Sequence, residues 1–363
     1  MSAVLHQGLA RTDQCPVCGG AERERSDGMA SERGSRLQGL YYLKPATAAI
    51  GMSLEEFVDT ALTYRCTHCG CFFCDPWFSP EIASRLFASL GPDHLYAWGS
   101  FENWLHRRPP VRSENDRLFE IVTRHIGKID VYAEYTCPFQ GFLQLFRGYE
   151  ASPRERLGSF ACATRRPPDP RWSRVTRIHK AMERGIARLA VFHLRARGAA
   201  VRAAAALRRT PRPVEYRPEH LPRHRYLLTR DTSVGWGSNC VRFGGSCRYF
   251  AQAVLGAEIL PFDEAERRGP RRYDLVGIFN SLDHVTFPLD VVERALRLAP
   301  HVLMVTHHAS LAGKQHWFAL GDELPRWLAD HLPDVRALDL RAEDGALRRD
   351  TNYLLLSRTQ ERR

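Results

Sequence analysis

The segment that decides the fold reads Asp274-Leu-Val-Gly-Ile-Phe-Asn280, then Asp290-Val-Val-Glu-Arg-Ala-Leu-Arg-Leu298, then His301-Val-Leu-Met-Val-Thr306. A helical pattern lies between two strand patterns, the unit from which parallel sheets are built. Working outward, the alternation continues. Upstream, Lys128-Ile-Asp-Val-Tyr-Ala-Glu134 reads as a short strand. It follows a helix with apolar residues at Leu118, Ile121, Val122 and Ile126, capped by Ser113 and ended by Gly127. Residues 142–146 are helix-like, and further strand patterns fall at 225–229 and 258–262. Downstream come a helix over 322–331 and strands at 335–340 and 353–357. No helical period separates the last two strands, which predicts a closing antiparallel hairpin. The expected fold class is α/β, a doubly wound and mainly parallel sheet.

The chain has 363 residues, enough for two domains or for one with an appendage. No run of eighteen or more apolar residues is present, so no transmembrane segment is expected. The first residues, Met1-Ser-Ala-Val-Leu-His-Gln-Gly-Leu-Ala-Arg11, lack an apolar core of signal-peptide length. Six of the ten cysteines sit in short clusters at metal-ligand spacing, which favours a reducing, cytoplasmic setting.

Cys15-Pro-Val-Cys18-Gly-Gly and Cys66-Thr-His-Cys69-Gly are two Cys-x-x-Cys-Gly knuckles. Each turns tightly enough for two thiolates to meet one ion, and the glycine frees the backbone to curl around it. Two pairs complete a tetrahedral set of four sulfurs, the geometry preferred by structural Zn2+. A redox pair and free thiols are the rival readings. Cys71 and Cys74 form a third pair, read as spare thiols that could ligate in place of others. An N-terminal zinc-binding module over 1–106 and a linker at Arg107-Arg-Pro-Pro-Val-Arg112 follow from this reading. Ser53-Leu-Glu-Glu-Phe-Val-Asp-Thr-Ala-Leu62 and a segment opened by Ser79-Pro80 are expected to supply its helices.

Several of these stretches resemble the class I S-adenosylmethionine (SAM) methyltransferases that carry a zinc module, including the nucleotide-sugar C-methyltransferases. The run Cys66-x-x-Cys-Gly-Cys-Phe-Phe-Cys-Asp-Pro76 is similar to their second knuckle. Tyr273-Asp-Leu-Val-Gly-Ile-Phe-Asn-Ser-Leu-Asp-His-Val285 is similar to their fourth strand and the Glu-His-Val loop, with Asp283 for the glutamate. Gln315-His316-Trp-Phe318 falls where relatives carry Glu-His or Gln-His and an aromatic. The resemblance spans most of the chain outside residues 151–225, and places the methyltransferase-like α/β domain at 113–150 and 226–363. It implies that Glu134, Cys137, Gly141, Asp231 and Asp263 surround SAM, with His316 as the catalytic base. His284, His307 and His308 are the alternatives for that base, and Asp231 and Asp263 can also be read as solvated loop carboxylates. The chain departs from the family in the turn after the first strand: Thr136, Pro138 and Gln140 replace three glycines, and Pro138 removes an N–H donor. Cys240 and Cys247, in a Gly-rich loop, read as small packing groups, a nucleophile or a metal pair.

Residues 151–225 hold 19 Lys plus Arg against 5 Asp plus Glu, while the rest of the chain is near neutral at −3. The basicity therefore belongs to one insert, whose residues 174–209 are Ala- and Arg-rich and free of proline. It suggests an anionic partner, or a solvated arginine face packed on the domain. Aromatics are too sparse there for a base-stacking platform. Three functions follow. The first is a SAM-dependent methyltransferase acting on a small-molecule or carrier-linked substrate, such as a sugar or natural-product intermediate. The second is a non-catalytic protein of the same fold that binds an anionic partner. The third is an RNA methyltransferase; it ranks last because Asn280-Ser-Leu-Asp283 is no substitute for the Pro-Pro-aromatic motif of base methylation.

Overall fold

The computed structural model describes residues 8–26, 47–48, 50–79, 82, 114–135, 141–150, 221–229, 255–270, 272–282, 288–307, 318–320, 323–345, 347 and 351–359. The N-terminal part supplies β1 (Leu9–Ala10), β2 (Arg23–Arg25), α1 (Leu54–Thr60), β3 (Leu62–Cys66), β4 (Phe72–Asp75) and β5 (Trp77–Phe78). The alternating part supplies α2 (Glu114–Ile126), β6 (Val131–Tyr135), α3 (Phe142–Glu150), β7 (His224–Thr229), β8 (Glu258–Pro261), α4 (Phe262–Arg267) and β9 (Leu275–Phe279). It continues with α5 (Pro288–Leu298), β10 (His301–His307), β11 (Phe318–Ala319), α6 (Leu324–His331), β12 (Val335–Asp339) and β13 (Thr351–Arg358).

Seven strands make one sheet in the order β12-β13-β10-β9-β6-β7-β8. The five strands from β8 to β10 pair in parallel throughout. The chain runs outward from β6 to β8 and then returns to β9, so the direction of winding reverses between β6 and β9. The expected hairpin is present, because β12 and β13 are antiparallel. Within it β13 folds back between β10 and β12 and pairs antiparallel with β10 over seven residues. Asp274 pins the centre of the sheet, its Oδ2 accepting from the backbone N–H groups of Asp130 and Val131 at 2.7 and 2.8 Å.

Both faces are covered. Phe119 and Val122 of α2 pack with Phe142 and Phe146 of α3 on one face, against Leu275, Leu303 and Leu355 of the strands. Phe119 meets the rings of Phe142 and Phe146 edge-on at 5.2 and 5.0 Å. Burying each such ring contributes about 1.5–3 kcal/mol. On the other face, Phe262 of α4, Val292 of α5 and Trp327 of α6 share one apolar cluster with Val276, Met304 and Leu354. The same cluster runs on into the N-terminal part through Phe57, Phe73 and Trp77.

Local chemistry sets the helix ends. Ser53 Oγ accepts from Glu56 N–H at 3.1 Å while Glu56 Oε2 accepts from Ser53 N–H at 2.7 Å, a complete capping box at α1. Gly127, at φ +81°, ends α2 and donates its N–H to Thr123 O at 2.9 Å. Ser79 Oγ accepts from Ile82 N–H at 3.4 Å, the capping role expected of it. Two expected boundaries shift. Phe262 opens α4 instead of closing a strand, because Pro261 stands in the extended N-cap conformation before it. The helix expected over 322–331 starts at Leu324, with Pro325 in its first turn, where a missing N–H costs nothing.

The N-terminal part builds its own small sheet, in the order β11-β4-β3-β2. Its fourth strand comes from far along the chain: Phe318 and Ala319 pair antiparallel with Phe73 and Phe72. Asp75 ties the segment before β2 to this sheet. Its Oδ1 accepts from Thr12 N–H at 2.9 Å, and its Oδ2 takes the Arg23 guanidinium at 2.8 Å. No described helix is long and apolar enough to cross a membrane. Ser113, the 107–112 linker and the helical reading of 174–209 lie outside the described residues.

Candidate metal centre and the carboxyl edge of the sheet

The two knuckles fold alike. In the first, Gly19 N–H donates to Cys15 O at 2.9 Å and Cys15 N–H to Gly20 O at 2.8 Å. In the second, Gly70 N–H donates to Cys66 O at 3.0 Å and Cys66 N–H to Cys71 O at 2.8 Å. Both turns need left-handed backbone at the residue after the second cysteine, and glycine supplies it: φ is +72° at Gly19 and +71° at Gly70. The second knuckle is the tip of the β3–β4 hairpin, so Cys66 closes one strand and Cys69 stands just before the next. Backbone N–H groups point at sulfur, from Val17 to Cys15 Sγ and from Gly20 to Cys18 Sγ, each at 3.4 Å. That orientation stabilises thiolate.

The knuckles face each other. The Sγ atoms of Cys15, Cys18, Cys66 and Cys69 all lie within 4.8 Å of one another. Cys15 and Cys69 are 3.7 Å apart and Cys18 and Cys66 are 3.6 Å apart. A metal–sulfur bond of about 2.3 Å in a regular tetrahedron requires sulfur–sulfur edges of about 3.8 Å, whereas a disulfide needs about 2.05 Å. The four thiols therefore form a cluster that could hold a metal ion. The thiols of Cys18, Cys69 and Cys71 hydrogen-bond to Cys15 and pull its pKa down, while the same contact with Cys15 pushes Cys18 and Cys69 up. Cys71 is fully buried, and burial raises its pKa well above the usual thiol range. Cys74 is buried on β4, with its sulfur 3.9 Å from Thr63 Oγ1.

Helix α6 caps this centre. The Glu323 side chain lies over Gly70 so closely that a Cβ there would collide with its carboxylate. Arg65, next to Cys66, pairs with Glu323. The His68 ring, inside the second knuckle, meets the His331 ring edge-on at 5.6 Å, and His331 stacks on Trp327 at 4.1 Å. Sequence reasoning missed these residues. Their only local signal was a histidine inside a knuckle, and their partners lie more than 250 positions away.

A second constellation sits at the carboxyl end of β6. Glu134 is fully buried. Its Oε2 accepts from Tyr132 O–H at 2.7 Å and from Leu143 N–H at 3.0 Å. Leu143 is in the first turn of α3, so the carboxylate also meets the positive end of that helix. Gly141 lies directly against it, and a Cβ would be driven into the Glu134 carboxylate. On β9, Gly277 is in register with Glu134, and a Cβ on it would strike the Tyr132 hydroxyl. Burial first, and the Glu134 charge second, hold the Tyr132 pKa well above its usual value. Tyr132 and Gly277 were not singled out from sequence, though the alternation Tyr132-Ala-Glu134 places both polar side chains on one face of the strand. Beside this group, Asn280 ends β9 with φ +44°, unusual without glycine, and its N–H donates to Val305 O at 2.8 Å.

Of the residues expected around a cofactor, Glu134 and Gly141 are in contact. Asp263, in the first turn of α4, is half-exposed and paired with Arg294 at 2.5 Å. Arg294 also binds Glu266, which lowers the Glu266 pKa. Cys137, Asp231, His316, His284, His308, Cys240 and Cys247 lie outside the described residues. No known protein family and no curated protein matches the chain.

Proposed function

We propose that the chain is a SAM-dependent methyltransferase of class I architecture, acting on a small-molecule or carrier-linked anionic substrate such as a sugar or natural-product intermediate. The observation that carries this reading is the turn from β6 into α3. Gly141 stands just before the helix, the helix start is held by the buried Glu134, and the connection lies where the winding of the sheet reverses. Open α/β sheets bind ligands at that point, outside the carboxyl ends of the strands. The sheet closed by an antiparallel hairpin fits the architecture that the resemblance implies. In this reading Glu134 acts as a positioning residue for the turn, and Gly141 leaves room for close backbone approach. SAM would supply the methyl group; Asp231 would bind its ribose, Cys137 and Asp263 would line its site, and His316 would take the acceptor's proton.

The metal of the four-cysteine centre is zinc in this reading. A closed set of four sulfurs leaves no open position for substrate, so the ion is structural. Calorimetric titration of SAM and S-adenosylhomocysteine into zinc-replete protein tests the proposal. Micromolar binding that is lost in Asp231→Ala supports it. Absence of heat at millimolar cofactor would overturn it in favour of a non-catalytic protein of the same fold.

A further inference from the structure

The metal centre sits at one end of a continuous mechanical path whose other end is the carboxyl edge of the large sheet. The path begins at Cys66 and Cys69, which bracket the tip of the β3–β4 hairpin. Leaving that tip, Phe72 and Phe73 of β4 pair with Ala319 and Phe318 of β11. Leu320, the next residue, is buried, and its carbonyl accepts from Asn352 Nδ2 at 2.9 Å. Asn352, itself buried on β13, is in register with Thr306, one residue from the carboxyl end of β10. A parallel path runs through α6, whose N-cap Glu323 covers Gly70 and whose last residue, His331, meets His68.

The two knuckles differ in this respect. Among the described residues, a Cβ at Gly19 would meet nothing within 4 Å, whereas one at Gly70 would collide with Glu323. The second knuckle is thus built against the segment that follows β10, while the turn of the first packs on the second knuckle through Gly20. Without an ion the four sulfurs share no cation to bond to, and the hairpin tip loses its crosslink to the first knuckle.

We infer that the four-cysteine centre props one side of the large sheet: metal binding orders β11 and α6, and so shapes the β10 side of the proposed ligand-binding edge. The inference rests on metal occupancy of the centre and deepens the proposed function by tying the structural ion to the shape of its site. Because Glu323 and His331 press on the second knuckle from more than 250 positions away, removing their side chains weakens metal binding if the ion and α6 hold one arrangement together.

The test uses the full-length protein with zinc as the probe, and begins by confirming one zinc per chain. Hydrogen exchange read by mass spectrometry is then compared with and without a zinc chelator. The expected result is loss of protection at residues 318–320 and 324–331 together with 62–75, while 258–267 on the far edge of the sheet stays protected. In parallel, zinc affinity of Glu323→Ala/His331→Ala is measured by chelator competition against Glu264→Ala, which alters an exposed ion pair on α4. The double variant should bind zinc about fivefold or more weakly, and the control unchanged. Deprotection confined to 8–79, or spread equally to 258–267, would overturn the inference. So would equal zinc affinity in a double variant of unaltered circular dichroism. Failure to bind zinc at all would instead remove the metal centre itself and leave the SAM titration to decide the function separately.

Discussion

Glu134 occupies the space that a Cβ on Gly141 would need, so the acid that ends one strand and the glycine that opens the next helix work as one feature. The carboxylate takes the Leu143 N–H and the Tyr132 hydroxyl. It thereby satisfies an otherwise orphaned donor of the α3 start inside the apolar interior. Gly141 is pressed against a buried side chain that has no room to move away, so no side chain fits at this position.

Gly141→Ala should therefore destabilise the fold by about 1–3 kcal/mol, the usual cost of forcing a group into packed space. The cause can be separated from backbone effects by pairing it with Glu134→Ala. The two changes should be strongly non-additive in urea unfolding, since the smaller side chain at 134 makes room for the methyl. Additive costs would show that the glycine is needed for conformation alone.

Tyr132→Phe removes a donor from a buried carboxylate and should cost about 1–3 kcal/mol in chemical denaturation. The wild-type phenol should also resist ionisation in a spectrophotometric alkaline titration, because burial and the neighbouring Glu134 charge both raise its pKa. Tyrosine absorbance of the variant should lose amplitude only in the late, unfolding-linked step.

The metal centre predicts one equivalent of zinc per chain and its release by substituting any of Cys15, Cys18, Cys66 or Cys69. Cys74→Ser should leave the metal content intact, since its sulfur lies against Thr63 and outside the cluster. Elemental analysis of the purified variants measures both, and retention of a full equivalent in Cys66→Ser would contradict the ligand set.

His301 gives a pH dependence. Burial lowers its pKa below the ordinary 6.5, with only partial opposition from Asp274. The unfolded chain therefore takes up the proton first. The stability that the neutral ring contributes is complete above about pH 6.5 and is lost as pH falls through the lower folded value. His301→Gln, which can keep a contact with Ser357, should flatten this part of the acid limb. Urea midpoints measured at about pH 7.5 and pH 5 should differ less in the variant than in the wild type, and an equal difference would contradict the assignment.

The knuckles were legible because their chemistry is local: two cysteines, two intervening residues and a glycine specify a turn whatever surrounds it. The strands from β6 to β10 were legible for the same kind of reason, as short apolar runs between helical periods. Glu134 and Gly141 were singled out through a resemblance, and their direct contact then explained them. Their partners Tyr132 and Gly277 were hidden, since nothing in a one-dimensional pattern says that a phenol will cross a neighbouring strand at a glycine. Asp263, placed beside the cofactor by the same resemblance, is engaged by Arg294 from the next helix. An ion pair between residues 31 positions apart leaves no periodic trace.

By itself, the sequence determined the two cysteine turns that could hold a metal ion, the alternation of strand and helix, the strand that carries Glu134 and the concentration of positive charge in residues 151–225. Each follows from the intrinsic geometry of a few consecutive residues. Tertiary structure alone decided that β13 folds inward between β10 and β12, that β11 completes the sheet of the cysteine module, and that Glu323 seals the second knuckle. Those outcomes depend on which buried surfaces and unpaired backbone edges meet once the chain is compact. Hydrogen-bonding edges and apolar faces are interchangeable in sequence, and only their simultaneous satisfaction in three dimensions selects one arrangement.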